Sequence, residues 1–190
     1  MTGVESLPLT DIPEAEAFIL HWGEMGSQWG VNRSVSQIHA LLYLSDKPIH
    51  AEEISSTLGL ARSNVSTGLK ELQGYRLIRR THVAGDRRDH FTAETDLWEM
   101  LTRIVSERKK REVDPTVDLL AGLAADLEGR NDVPVHVRER IVRMHEFIGT
   151  LGRWYDDVQT LPKSTLVTLM KLGSKVARFL PRRSSPKNSD

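Results

Sequence analysis

Along most of the chain apolar residues recur every three or four positions, the spacing that puts them on one face of a helix. Only between Leu77 and Ala93 does the pattern shorten to that of strands. Ala15, Phe18, Trp22, Met25 and Trp29 make the first seam, with Asp11 placed to cap the helix and Pro13 suited to its first turn. After a break at 30–33, Ser34 is placed to cap a second helix whose inward face is Val35, Ile38, Leu41 and Leu42. The segment HAEEISSTLGL then sets Ala51, Ile54 and Leu58 on one face and stops at Gly59, a residue suited to a left-handed helix end. In ARSNVSTGLKELQGY the buried stripe is Val65, Leu69 and Leu72, and Gly68 beside it suits a close helix crossing. Two extended runs follow, LIRRTHV and HFTA, joined by the polar loop Ala84–Asp89, which predicts a hairpin with Arg87 and Arg88 at its tip.

Helical spacing returns afterwards. Asp96 and Glu99 read as a capping box for a helix that faces inward with Leu97, Met100 or Leu101, Ile104 and Arg108, and that ends in the basic run ERKKRE. Asp114 and Pro115 restart a helix carrying Val117, Leu120, Leu123, Ala124 and Leu127, which closes in a turn at 129–132. Val137, Ile141, Met144, Ile148, Leu151, Tyr155 and Val158 then alternate four and three apart, a heptad seam that has to be buried against something. A last helix repeats the spacing with Leu166, Leu169, Val176 and Leu180 before the polar tail PRRSSPKNSD. The economical partner for these helices is a second copy of the chain, with Phe18, Trp22, Ile141, Met144, Ile148, Leu151, Tyr155 and Val158 at the dimer interface. The expected organisation is a disordered start (1–12), an N-terminal dimerisation helix (13–30), a helix-turn-helix and hairpin domain (31–94), a helical dimerisation and effector region (95–180) and a disordered tail (181–190).

Charge changes this picture in one place. The 190 residues carry no net charge, yet between Ala61 and Ala93 seven basic residues face three acidic ones. On the helix of that segment Ser63, Thr67 and Lys70 point away from the buried stripe, with Asn64 and Ser66 beside them, all small or slender enough to enter a groove. A basic helix followed by a basic hairpin is the electrostatic footprint of a phosphate-binding surface. The rest of the composition narrows the choices. There are no cysteines, which excludes disulfides and thiolate chemistry, and no run of about 18 apolar residues, which argues for a cytoplasmic protein. The seven histidines are scattered without metal-ligand spacing, no nucleotide-binding or nucleophile motif occurs, and Glu52–Glu53 and Asp156–Asp157 are neighbours on surface helices. No enzyme, metal or cofactor is expected.

The segment 50–91 resembles the winged helix-turn-helix of the MarR family, and GDRRDHFTAETDLWEM, ERKKRE and FILHWGEMGSQWG extend the resemblance to that family's GbsR-like branch over roughly 15–127. The resemblance implies a mainly α fold with a two-stranded wing and flanking dimerisation helices. It also implies a homodimeric repressor on a pseudo-palindromic double-stranded DNA site. The recognition helix would contribute Arg62, Ser63, Asn64, Ser66, Thr67 and Lys70, and the wing Arg79, Arg80, Arg87 and Arg88. Arg87 or Arg88 would enter the minor groove, and one Asp of the wing would orient an Arg by an ion pair. The branch further implies a link to osmoprotectant uptake, with a choline- or betaine-like effector for which Trp22, Trp29, Trp98, Trp154 and Tyr155 are candidate cage residues. Ala61 departs from the family, which has Ser or Thr before this helix; a missing hydroxyl cap costs about 1 kcal/mol. The competing reading is a winged-helix protein-interaction or scaffold module without a specific DNA target.

Overall fold

The structure, a computed structural model of the 190-residue chain, describes residues 9–176. They fall into two units, one running to Glu107 and one starting at Arg108. The first opens with a 3-10 turn at Leu9–Asp11 and continues through α1 (Pro13–Gln28), α2 (Arg33–Leu44), β1 (Ile49–His50), α3 (Ala51–Leu58), α4 (Arg62–Gly74), β2 (Ile78–Val83), β3 (Asp86–Ala93) and α5 (Leu97–Arg108). This is a helix-turn-helix followed by a hairpin, with the short β1 laid on the hairpin to give an antiparallel sheet in the order β1-β3-β2.

The core of this unit is the set of stripes expected from the spacing. Ile38 on α2, Ile54 on α3 and Val65 on α4 are fully buried, and Leu41, Leu42, Leu69, Leu72, Ile78, Phe91 and Met100 close around them. Gly68 is where α4 crosses α2: a Cβ there would lie 2.7 Å from Ile38 Cδ1, so a side chain would push the two helices apart. Gly59 ends α3 with φ 63°, in the left-handed conformation.

Several details differ from the expectations. Leu9, ahead of the expected start of order at Pro13, already packs on the core. The N-cap of α1 is Ile12, without a side-chain bond, instead of Asp11, and the cap of α2 is Asn32, which accepts from Ser34 N at 2.8 Å. The buried line of α1 is Ile19, Gly23 and Gly26. At Gly26 a Cβ would overlap Ser36, so α1 seats on α2 through small residues and its aromatics are displaced to the flanks. There Phe18 stacks on Trp22 at 5.5 Å and on Tyr43 at 6.3 Å, while Trp29 is 55% exposed. On α5, Met100 faces inward and Leu97 and Leu101 are exposed. Asp96 caps this helix by accepting from Trp98 N and Glu99 N, but the reciprocal bond comes from Glu94, which accepts from Asp96 N at 3.1 Å. Glu99 pairs with Arg103 instead, and Arg103 also holds Glu94 and donates to the carbonyl of Arg76. These bonds tie the start of α5 to the wing and to the end of α4, so most of α5 belongs to the winged unit instead of to the C-terminal region.

The second unit begins with a five-residue π turn, Lys109–Val113, followed by α6 (Asp114–Asp126), α7 (Val135–Gln159) and α8 (Lys163–Val176). Lys109 Nζ joins Asp114 Oδ1 at 2.8 Å to Asp156 Oδ1 at 3.2 Å, which ties the start of α6 to α7. The heptad seam of α7 is split. Val137, Ile141, Ile148, Tyr155 and Val158 are half-buried, whereas Met144 and Leu151 are about half exposed. With Phe147 and Trp154 they make a second stripe, spaced three, four and three apart, that is open to solvent. Leu180, the tail at 181–190 and most of 1–12 lie outside the described residues. Among the described residues no helix is long and apolar enough to cross a membrane, and no group of His, Asp and Glu is placed to hold a metal.

Candidate nucleic-acid interface

Helix α4 is positioned by burying Val65, Gly68, Leu69 and Leu72, which leaves Arg62, Ser63, Asn64, Ser66, Thr67 and Lys70 exposed on its far side. Ala61 is its N-cap and makes no side-chain bond, so the first-turn amides lack the usual protein hydroxyl. At the other end Arg76 takes φ 57°, and Leu77 N donates to Leu72 O at 3.0 Å, a left-handed closure with an arginine where glycine is usual. That closure turns the chain directly into β2.

The wing is tighter than the sequence suggests. Its strands pair as far as Val83 and Asp86, leaving only Ala84 and Gly85 in the turn, with Gly85 at φ 84°. Arg87 and Arg88 therefore sit on β3 rather than at a loop tip, because Asp86 pairs into the ladder. Alternation along β3 separates the two arginines. Arg88 folds back on Asp86: its Nε lies 2.9 Å from both carboxylate oxygens, its Nη2 closes a second bond, and its backbone N donates to Asp86 Oδ1 at 2.9 Å. This is the Asp–Arg orientation that the resemblance implies for a wing. The hydrogen bonds from Arg88 hold the Asp86 carboxyl well below the usual carboxylate range. Arg80 pairs across the strands with Asp89 at 3.0 Å, and Arg79 Nε donates to Thr92 Oγ1 at 3.2 Å. Arg87 has no ion pair among the described residues.

Under the wing lie two histidines that no spacing along the chain singles out. His50 caps α3 by accepting from Glu53 N at 3.2 Å, and its ring meets that of buried His90 edge-on at 5.4 Å. His90 Nδ1 lies 3.0 Å from Arg88 O and its Nε2 3.5 Å from Asp86, so the ring supports the same Asp–Arg pair from below. The register pairing His50 with His90 brings them together, and that register is not visible in either segment alone.

Between α4 and the wing runs a cavity of about 470 Å³ whose walls include Ser66, Lys70 and Gln73 from α4, Arg80 and Arg88 from the wing, and Glu52 from α3. The fold thus unites Ser66 and Lys70 of the helix face and two of the four wing arginines on one groove, adds Gln73 and Glu52, and leaves Arg62, Ser63, Asn64 and Thr67 outside its lining. The candidate cage residues are spread over both units. Trp22 is engaged with Phe18 and His39, Trp29 follows the end of α1, half-buried Trp98 stands on α5, and Trp154 and Tyr155 belong to the other unit.

Comparison with known proteins agrees with this geometry. Residues 29–89 match the family model described as MarR family. The chain is 24% identical to the HTH-type transcriptional repressor GbsR of Bacillus subtilis, across 80% of this chain and 83% of that protein. It is 23% identical to the putative HTH-type transcriptional regulator YvaV of the same organism, across 80% and 86%. A crystal structure of a transcriptional regulator, 20% identical, covers 77% of this chain and 95% of its own with a TM-score of 0.60, which shows the shared fold. The helix-turn-helix, the paired wing and the match over 29–89 together give this segment the winged helix-turn-helix of the MarR family model.

Proposed function

We propose that the chain is a cytoplasmic repressor that acts as a homodimer on a pseudo-palindromic double-stranded DNA site and is released by a small-molecule effector. The observation that carries this reading is the groove between α4 and the wing, where Lys70, Arg80 and Arg88 converge beside an exposed polar helix face. Its cationic lining suits one phosphate backbone, with α4 in the major groove on one side and the wing at the minor groove on the other. Ser63, Asn64, Ser66 and Thr67 would read base edges, and Arg62, Lys70, Arg79 and Arg80 would meet phosphates. Arg88 is pre-oriented by Asp86 and Arg87 is not, so Arg88 is the residue assigned to the minor groove. The similarity to a protein named as a repressor supports the sense of regulation.

A second copy would cover α7. Of the eight residues expected at a dimer interface, Phe18 and Trp22 are packed on the winged unit's own core, so the reading rests on α7, with Phe147 and Trp154 joining Met144 and Leu151 on its open stripe. An effector with a quaternary ammonium group would suit exposed aromatics such as Trp154.

The test is binding to duplexes taken from upstream of the chain's own and neighbouring genes, against random duplex, at stepped salt. Specific binding should fall steeply with salt. Replacing Ser63 and Thr67 by Ala should cost operator affinity more than random affinity, while Arg88→Ala should weaken both and flatten the salt slope by about one ion. Absence of duplex binding at any salt would instead favour a protein-interaction module.

A further inference from the structure

Arg62 stands at the start of α4 and Arg88 lines the α4–wing groove from β3, and one carboxylate of that groove reaches both. Glu52 Oε1 lies 3.3 Å from Arg62 Nη2, and Glu52 Oε2 lies 3.7 Å from Arg88 Nη1. Glu52 is in the first turn of α3, half exposed, and lines the same groove. Glu53, its neighbour, takes other partners, Lys47 at 3.7 Å and His50 at 3.8 Å. The bridge therefore belongs to one side chain and not to an acidic helix start in general.

A carboxylate that offers one oxygen to each of two guanidiniums has the charge and the reach of a bridging phosphate. We propose that Glu52 is an internal stand-in for a DNA phosphate, a positioning residue that holds Arg62 beside Arg88 in the free protein and competes with the duplex backbone for Arg62. The inference rests on the reading of this groove as the duplex-binding surface. Arg88 keeps its bonds to Asp86 when Glu52 is displaced, so the wing arginine stays oriented; Arg62 has no second ion pair among the described residues and is the cation released. Phosphate contacts carry no base information, so the effect of Glu52 falls on DNA of every sequence and sets how much of the binding is sequence-independent.

The experiment titrates the full chain against a random-sequence duplex at stepped salt, comparing wild type, Glu52→Gln, Glu53→Gln, Arg62→Ala and the Glu52→Gln/Arg62→Ala pair. Removing one anion from a phosphate-facing groove should tighten binding about 3- to 10-fold at low salt and steepen the salt slope by about one ion. Glu53→Gln should behave as wild type, and the gain from Glu52→Gln should shrink in the Arg62→Ala background. Unchanged or weaker binding by Glu52→Gln, or an equal gain from Glu53→Gln, overturns the inference while steep salt dependence of the wild type leaves the groove reading standing. A wild type that ignores duplex at every salt overturns both.

Discussion

The winged unit and the C-terminal unit are written in the same code of three- and four-residue apolar spacing, yet they spend it differently. In the first, Ile38, Ile54 and Val65 reach full burial inside one chain. In the second, α7 buries Gly149 completely and leaves Met144, Phe147, Leu151 and Trp154 between 48% and 62% exposed. An apolar stripe of four large side chains is a surface built for contact, because leaving each in water forgoes about 1.5–3 kcal/mol. The difference sets a unit that closes its own core against one that leaves an apolar stripe open, the stripe that the proposed dimer would cover.

The sharpest way to break that comparison is at the stripe. Phe147→Asp should convert a dimer to monomer without unfolding either unit, since Phe147 is 62% exposed, and in a two-fold interface the loss counts twice, about 3–6 kcal/mol of association. Sedimentation reads the result, and a Phe147→Asp chain that stays dimeric places the interface elsewhere. Ile148→Asp, at a half-buried neighbour, should instead lower the thermal stability of the C-terminal unit.

A smaller effect sharpens the winged side. His39 is 4% exposed, its Nε2 has no hydrogen-bond partner, and burial pushes its pKa down from 6.5 to about 4. Its folded pKa is depressed, so the native ring is neutral while the unfolded chain takes up a proton below 6.5. Stability from this group is intact above pH 6.5 and is lost as pH falls toward 4, by about 2 kcal/mol on reaching pH 5. Thermal melts of wild type and His39→Leu across pH 7 to 5 check the sign: the slope should flatten in the variant.

The smallest effect should come from Gly68→Ala. Its Cβ would meet Ile38 Cδ1 at 2.7 Å, so the winged unit should lose about 1–2 kcal/mol as α4 is lifted from α2. Operator affinity should fall with it, because the helix face and the wing would no longer share one groove. Equal stability would mean that Ile38 changes rotamer and the crossing is looser than it looks.

The sequence by itself determined the helices, the inward stripes and the outward polar face of α4, because a helix repeats its environment every turn and each stripe can be read locally. It determined the hairpin and its surplus of basic residues for the same reason. The tertiary structure alone decided which side chains meet across elements. The two-residue turn moved Arg87 and Arg88 onto β3, the strand register set His50 edge-on to His90, and the α3–α4 turn brought Glu52 within reach of both Arg62 and Arg88. Small residues at Gly26 and Gly68 set how closely helices cross, which sent the α1 aromatics to the flanks and left Trp29 outside. The α7 seam was legible as apolar, but its division into a half-buried and an exposed stripe depends on how much of one helix α6 can cover. Local periodicity fixes which face is apolar; only packing in three dimensions fixes what that face touches, since contact is a property of two elements and spacing a property of one.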